Sequence, residues 1–259
     1  MTRQQQDGLT FLTFDSLPPE SVAHAVFTRR GGVSPQPWAS LNVGATVGDD
    51  PDHVDENRRR LLAALNRSPD STFDVHQIHS ATIVEANGPR QGEPYPQADG
   101  VVTNSPGVTL MLRFADCVPI LLYDPDQGAV GLVHAGWLGT VRQASAAAVA
   151  RLHTAYGTDP ARLRAAIGPA IGSHHYPVGP EVVESFRESF GGAAERYLDS
   201  VDGAVRLDLA GANEELLRAA GVAQIERSEL CTACHLDDWY SHRGEGGKTG
   251  RFGAAIGLR

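Results

Sequence analysis

An α+β fold, with mixed β-sheets covered by helices, is predicted by three features of this sequence. Strand-like and helix-like stretches interleave, yet several strand-like stretches follow one another directly, which a purely parallel βαβ array does not do. Of the 259 residues, 41% are hydrophobic and 20% charged, a globular balance. The longest apolar runs, such as Val118 to Tyr123, have strand length and fall far short of a membrane span. No repeat of fixed period and no Ser/Pro-rich linker divides the chain, so 1–259 is expected to form one domain.

The elements follow in order. Residues 22–30 read as a strand that ends at the Gly31-Gly32 turn. Asp50-Pro51 opens a helix with Val54, Leu61 and Leu65 on one face. In residues 107–114, Val108, Leu110, Leu112 and Phe114 face one way and Thr109, Met111 and Arg113 the other, as a strand requires. After Asp116-Cys117, the run Val118 to Tyr123 reads as a buried strand stopped by Asp124-Pro125. A third strand, Ala129 to His134, enters Ala135-Gly136-Trp137, and an alanine-rich helix is expected from Thr140 to Tyr156, ended by Gly157. Further helices fit 180–190, with Pro180 in the first turn, and 208–220, ended by Gly221. Segment 239–258 alternates strand-like stretches around a Gly/Arg-rich loop.

Charge and cysteine content narrow the function. The net charge is −9 and no Lys/Arg block occurs, so the footprint of a nucleic-acid binder is absent. The first residues carry no apolar run of the signal-peptide kind, and three cysteines make no disulfide framework. The expectation is a cytoplasmic protein without membrane or nucleic-acid partners; its oligomeric state is not set by these features.

Candidate chemistry gathers where strands end. His79, Cys117 and His134 offer two imidazoles and a thiolate, a good zinc set that leaves a fourth position open. Their gaps of 38 and 17 residues are no ligand motif, so three unrelated buried residues are the competing reading. Cys231-Thr232-Ala233-Cys234-His235 matches the attachment signature of a c-type haem, but haem attachment needs export, and only Met1 and Met111 could serve as a methionine ligand. As a structural-zinc or redox C-x-x-C it lacks a second pair, and Cys234 reads as incidental. Gly244 to Thr249 fails as a phosphate-binding P-loop because His242 stands at the first glycine position. With Arg243, Lys248 and Arg251 beside it, the loop can still present amides and cations to an anion, or be a surface hairpin. The ten histidines include no H-x-H, which a trinuclear copper cluster uses. His24, His53 and His153 fall in ordinary strand or helix, and the adjacent His174 and His175 are expected to point apart. Neither H-x-E nor P-C-x-x-C occurs, so a cytidine-deaminase type of site is excluded.

Several stretches carry a resemblance over nearly the whole chain. They include Phe27 to Ser34, Ser40 to Gly44, Gly48 to Pro51 with Glu56-Asn57-Arg58, Gln77-Ile78-His79 and Ala98-Asp99-Gly100. The most specific are Ala115-Asp116-Cys117-Val118-Pro119, His134-Ala135-Gly136-Trp137 and Ile167 to Gly172. Leu207-Asp208-Leu209, Cys231-Thr232, Ser241-His242-Arg243 and Thr249-Gly250-Arg251 complete the set. With these, the sequence resembles the YfiH/laccase-domain family, described as multicopper polyphenol oxidases and as purine nucleoside phosphorylases.

The resemblance implies two mixed β-sheets packed together with helices outside, a four-layer α/β/β/α arrangement. It implies a metal site at His79, Cys117 and His134 holding zinc, with copper possible in vitro. The implied reaction is phosphorolysis of inosine, guanosine or adenosine to free base and ribose 1-phosphate, with adenosine deamination beside it. Nucleoside and phosphate would be the small-molecule partners. Cys117, His134 and Asp116 are the catalytic candidates, Asp116 as acid/base or as support to a ligand. Arg29, Asn42, Arg58 and Arg243 are the substrate-binding candidates. Ser80, Leu138 and Ser173-His174-His175 depart from the family's usual residues, and Leu138 puts in doubt an anion contact at its position. A rival is a cysteine hydrolase with Cys117 as nucleophile and His134 as base, acting on an amide such as one in a cell-wall precursor. Weaker rivals are a copper-dependent polyphenol oxidase and a metal- or partner-binding protein with a degenerate site.

Overall fold

The computed structural model describes residues 1–92 and 94–259. Among these, two six-stranded sheets form the centre. The first runs in the order Thr2–Gln6, Leu9–Thr13, Val22–Phe27, Phe252–Leu258, Thr109–Phe114 and Thr72–Phe73. The second runs Gln224–Arg227, Arg164–Ile167, Val118–Asp124, Ala129–Ala135, Gly100–Thr103 and Ile83–Glu85. Both are mixed: Thr72–Phe73 joins the first in parallel, and Arg164–Ile167 is antiparallel to Val118–Asp124 but parallel to Gln224–Arg227. A small third sheet of Pro177–Val178, Ala204–Leu207 and Leu198–Val201 lies outside the expected pair.

Side-chain alternation builds the layers. In the first sheet Val26, Leu110, Leu112, Phe114, Ala254 and Ile256 meet Leu121, Tyr123, Val130, Leu132 and Ala166 of the second, forming the core between sheets. The opposite faces of the same strands pack on helices. Ala25, Phe27, Met111 and Ala255 meet Leu61, Leu62 and Ala64 of the helix Pro51–Ala64. Ile120, Leu122, Val133 and Ile167 meet the helices Ala144–Tyr156, Pro180–Phe190 and Leu209–Ala219. The four-layer α/β/β/α arrangement is therefore observed. A strand buried on both faces needs apolar residues at every position, which is why Val118–Asp124 reads as a continuous run.

Several local expectations need correction. The strand of residues 22–30 stops at Phe27, because Arg29 and Arg30 turn away to ion-pair with Glu245 and Asp238. The helix expected from Thr140 is broken: Trp137–Val141 and Ala144–Tyr156 are separate, with Gln143 at φ 61° between them. Left-handed backbone ends an α-helix, and Ala144 opens the next. In segment 239–258 the strand is Phe252–Leu258 alone; the preceding residues form turns around Glu245 and Asp116.

Candidate active site and metal centre

Loops at the ends of the central strands bring His79, Cys117 and His134 together, their donor atoms all within 4.8 Å of one another. His134 is the penultimate residue of Ala129–Ala135, and Cys117 sits in the turn before Val118–Asp124, which pairs with that strand. His79 is delivered by a loop whose preceding Gln77 side chain bonds both backbone polar groups of Arg113, at 2.8 and 3.0 Å. His79 and Asp116 have φ of 59° and 84°, left-handed values that are uncommon for non-glycine residues.

Space at the centre is tight. A Cβ on Gly136 would lie 2.9 Å from Cys117 Sγ and 3.1 Å from His79 Cδ2, so only glycine fits between the strand end and the ligand set. The rings of His79 and His134 meet edge to face, with centroids 5.0 Å apart.

Asp99, fully buried, orients His134. Its Oδ1 lies 2.9 Å from His134 Nδ1, while Oδ2 accepts the amide and hydroxyl of Ser80 at 2.5 and 2.8 Å. Burial alone raises this carboxyl, but the His134 contact and the Ser80 donors outweigh it and hold it at about 2. An ionised carboxylate on Nδ1 leaves Nε2 as the donor atom for a metal, the usual support of a metal-bound imidazole. The donor set and its backing thus fit a zinc-type ion.

These residues open into a cavity of about 640 Å³. Arg58, Arg113, Arg243 and Arg251 line it, with Tyr95, Trp137 and Tyr176 as aromatic wall. Arg58 is fixed by two bonds to Val43 O, at 3.1 and 3.0 Å. Arg113 pairs with Asp74 at 2.8 Å. Burial pushes the Tyr176 phenol up to about 12, with the nearby Cys117 adding to it, so the group is a neutral hydrogen-bond donor.

The remaining candidates from the sequence lie as follows. Asp116 has both oxygens occupied: Thr232 and Ser241 hydroxyls donate to Oδ1 at 2.6 and 2.7 Å, and the Arg243 amide to Oδ2 at 2.7 Å. Arg29 is not part of the lining; it stacks over Tyr240 at 4.3 Å and bonds Ala39 O and Glu245. Asn42 is fully buried one step behind the wall, where its Oδ1 accepts the amides of Gly44 and Arg251 at 3.0 and 2.8 Å. Arg243 lines the cavity, its guanidinium bonded to Pro177 O at 2.8 Å. Asp99 and Arg113 are functional candidates beyond those the sequence points to by chemistry, and Arg251 is expected there only as a cation beside the Gly-rich loop. A charged residue in an otherwise apolar strand, as Arg113 is, was the available signal.

The model of the multi-copper polyphenol oxidoreductase laccase family matches residues 23–259. The chain belongs to this family. Among its relatives, a Deinococcus radiodurans protein named purine nucleoside phosphorylase is 42% identical over 93% of this chain and 91% of its own length. Purine nucleoside phosphorylase YlmD of Geobacillus stearothermophilus is 38% identical over 98% of this chain and 97% of its own. The crystal structure of YlmD from that organism superposes with a TM-score of 0.92, covering 99% of this chain and 98% of that one. Bacillus licheniformis YfiH, at 33% identity, gives 0.91 over 99% of each. Family membership makes the His/Cys cluster a metal-site candidate on two grounds, ancestry and geometry. No helix among the described residues is long and apolar enough to cross a membrane.

Proposed function

We propose that this chain is a zinc-dependent purine nucleoside phosphorylase, converting inosine, guanosine or adenosine and phosphate to free base and ribose 1-phosphate. One observation carries the reading. In a chain of net charge −9, four arginines line the same cavity as the His79, Cys117 and His134 set. An acidic protein repels phosphate overall, so a local cationic cluster is what a phosphate site in it requires. The names of the relatives from D. radiodurans and G. stearothermophilus support the same activity.

His79, Cys117 and His134 would hold the ion, which, when bound, supplies Lewis acidity to polarise a substrate oxygen. Arg58, Arg113, Arg243 and Arg251 neutralise phosphate and hold it for attack on C1′ of the ribose. A phosphate oxygen forms the new bond to C1′ as the C1′–N9 bond breaks, and the purine leaves with the electron pair and takes up a proton. Tyr95, Trp137 and Tyr176 offer rings against which a purine stacks. Asp116 positions Arg243 through its amide, and Asp99 fixes the His134 tautomer. Adenosine deamination belongs to the same reading, with water adding at C6, the C6–N6 bond breaking, and the amino group taking up a proton from the water and leaving as ammonia. A cytoplasmic location fits three cysteines that form no disulfide.

One observation favours a second reading. Cys117, His134 and Asp99 follow the nucleophile–base–orienter order of a cysteine hydrolase. His79 is superfluous in such a triad and useful in a metal site. The test is purine release from inosine, with and without phosphate, by wild type, metal-stripped protein and Cys117→Ser. The phosphorylase reading predicts release that needs both phosphate and metal and is lost in the variant. Undiminished release without phosphate, or no release at all, would contradict it.

A further inference from the structure

A second cluster of metal-ligating side chains stands apart from the cavity lining: His174, His175, Cys231 and Cys234, whose donor atoms also lie within 4.8 Å of one another. From these residues we infer that the chain carries a second, structural zinc site, closed by two histidines and two cysteines. The C-x-x-C at 231–234, which lacks a second pair in sequence, finds that pair in His174 and His175. The two rings converge on the same sulfur: His174 Nε2 lies 3.0 Å and His175 Nδ1 3.5 Å from Cys234 Sγ. The expectation that they point apart is thereby overturned, and Cys234 is not incidental.

The His175 distances suit zinc, while the 3.0 Å from His174 Nε2 to Cys234 Sγ is shorter than a bound ion would set it. With Zn–S near 2.3 Å and Zn–N near 2.0–2.1 Å, a tetrahedron has N···S edges of about 3.6 Å. The edges from His175 Nδ1 to the two sulfurs are 3.5 and 3.7 Å. The backbone is prepared as well. Ala170 bridges Cys231 in parallel, and the Thr232 amide donates to Ala170 O at 3.0 Å, so the two ligand-bearing loops are held side by side. The Gly172 amide donates to Cys231 Sγ at 3.1 Å, a bond that stabilises a thiolate far more than a neutral thiol. A Cβ on Gly172 would lie 2.5 Å from His174 Cε1 and 3.2 Å from Cys231 Cβ, so the glycine is what allows the loops to close. Four protein ligands leave no open position, which marks a structural rather than a catalytic ion.

Its place in the fold gives the site a task. Tyr176, in the cavity wall, directly follows His175, and Thr232, between the two cysteines, donates to Asp116 beside Cys117. An ion here ties both loops to the wall of the active cavity.

The test uses full-length protein purified under reducing conditions, with metal analysis and cobalt(II) substitution. Wild type should hold about two zinc ions per chain. His79→Ala, His174→Ala and Cys234→Ser should each hold about one, with circular dichroism reporting the fold. In a Cys117→Ser background, where the first site has no sulfur, cobalt should still give a thiolate-to-cobalt charge-transfer band. That band should vanish when Cys234→Ser is added. Zinc content equal in wild type and Cys234→Ser, no band in the Cys117→Ser protein, or a mass showing a Cys231–Cys234 disulfide would each overturn the assignment. None of these readouts depends on nucleoside phosphorolysis.

Discussion

Asp99 Oδ1 lies 2.9 Å from Nδ1 of His134, and neither residue is more than 5% exposed. The contact spans the junction of two paired strands, since the His134 amide also donates to Asp99 O at 2.7 Å. The backbone pairing that builds the second sheet therefore also sets the orientation of the imidazole.

Asp99→Asn keeps the shape of that contact but removes the charge that holds the tautomer. It also turns an amide toward Ser80, which now donates two hydrogen bonds to the carboxylate. Zinc affinity at the first site is expected to fall about 10- to 100-fold, the usual cost of losing such support. Competition with a chromogenic chelator measures it, and an unchanged affinity would separate Asp99 from the metal centre.

Arg58→Ala removes one of the cations lining the cavity and leaves Val43 O without its two bonds. The loss of a charged contact to phosphate is expected to cost about 2 kcal/mol, which raises the phosphate KM about 30-fold. Zinc content should not change. Steady-state kinetics at fixed inosine and varied phosphate test this, and an unchanged phosphate KM would take Arg58 out of the phosphate site.

His24 gives the fold an acid sensitivity remote from the site. Burial lowers its imidazole from 6.5 to about 4, and its Nε2 accepts the Phe14 amide at 2.8 Å, a role the protonated ring cannot fill. Because the folded pKa is depressed, the unfolded chain takes up the proton first. Stability is lost as pH falls from 6.5 toward 4, by about 2 kcal/mol between pH 7 and pH 5. Urea unfolding at the two pH values measures the slope. His24→Gln, which keeps an acceptor, should be flatter by that amount; an equal slope in both proteins would contradict the assignment.

Much of this fold was legible where local pattern and burial agree. The alternation of residues 107–114 and the Asp50-Pro51 helix start reappear in Thr109–Phe114 and in Pro51–Ala64, whose Asp50 cap accepts the Asp52 amide at 3.0 Å. The break at Gln143 was not legible, because no glycine or proline marks it and it depends on how Trp137–Val141 meets its neighbours. At the site, His79, Cys117 and His134 are legible as a zinc-type set at strand ends, and the family resemblance favours them over three unrelated residues; their spacing says nothing, since strand pairing and the His79 loop rather than a local motif bring them together. Asp99 and Arg113 act through His134 and Asp74, more than thirty residues away in the chain, so a local window shows at most a charge set in an apolar stretch. The surroundings of Cys234 were illegible for the same reason: His174 and His175 lie about sixty residues earlier, on a turn that sequence pattern does not place beside it.

The central claim is that phosphate, not water, is the nucleophile at C1′ in this cavity. Phosphorus NMR of an inosine and phosphate mixture, followed beside chromatographic release of hypoxanthine, tests it most directly. The account predicts one ribose 1-phosphate for every hypoxanthine formed, with both falling together when the metal is removed. Hypoxanthine accumulating with free ribose and no new phosphorus resonance would contradict it.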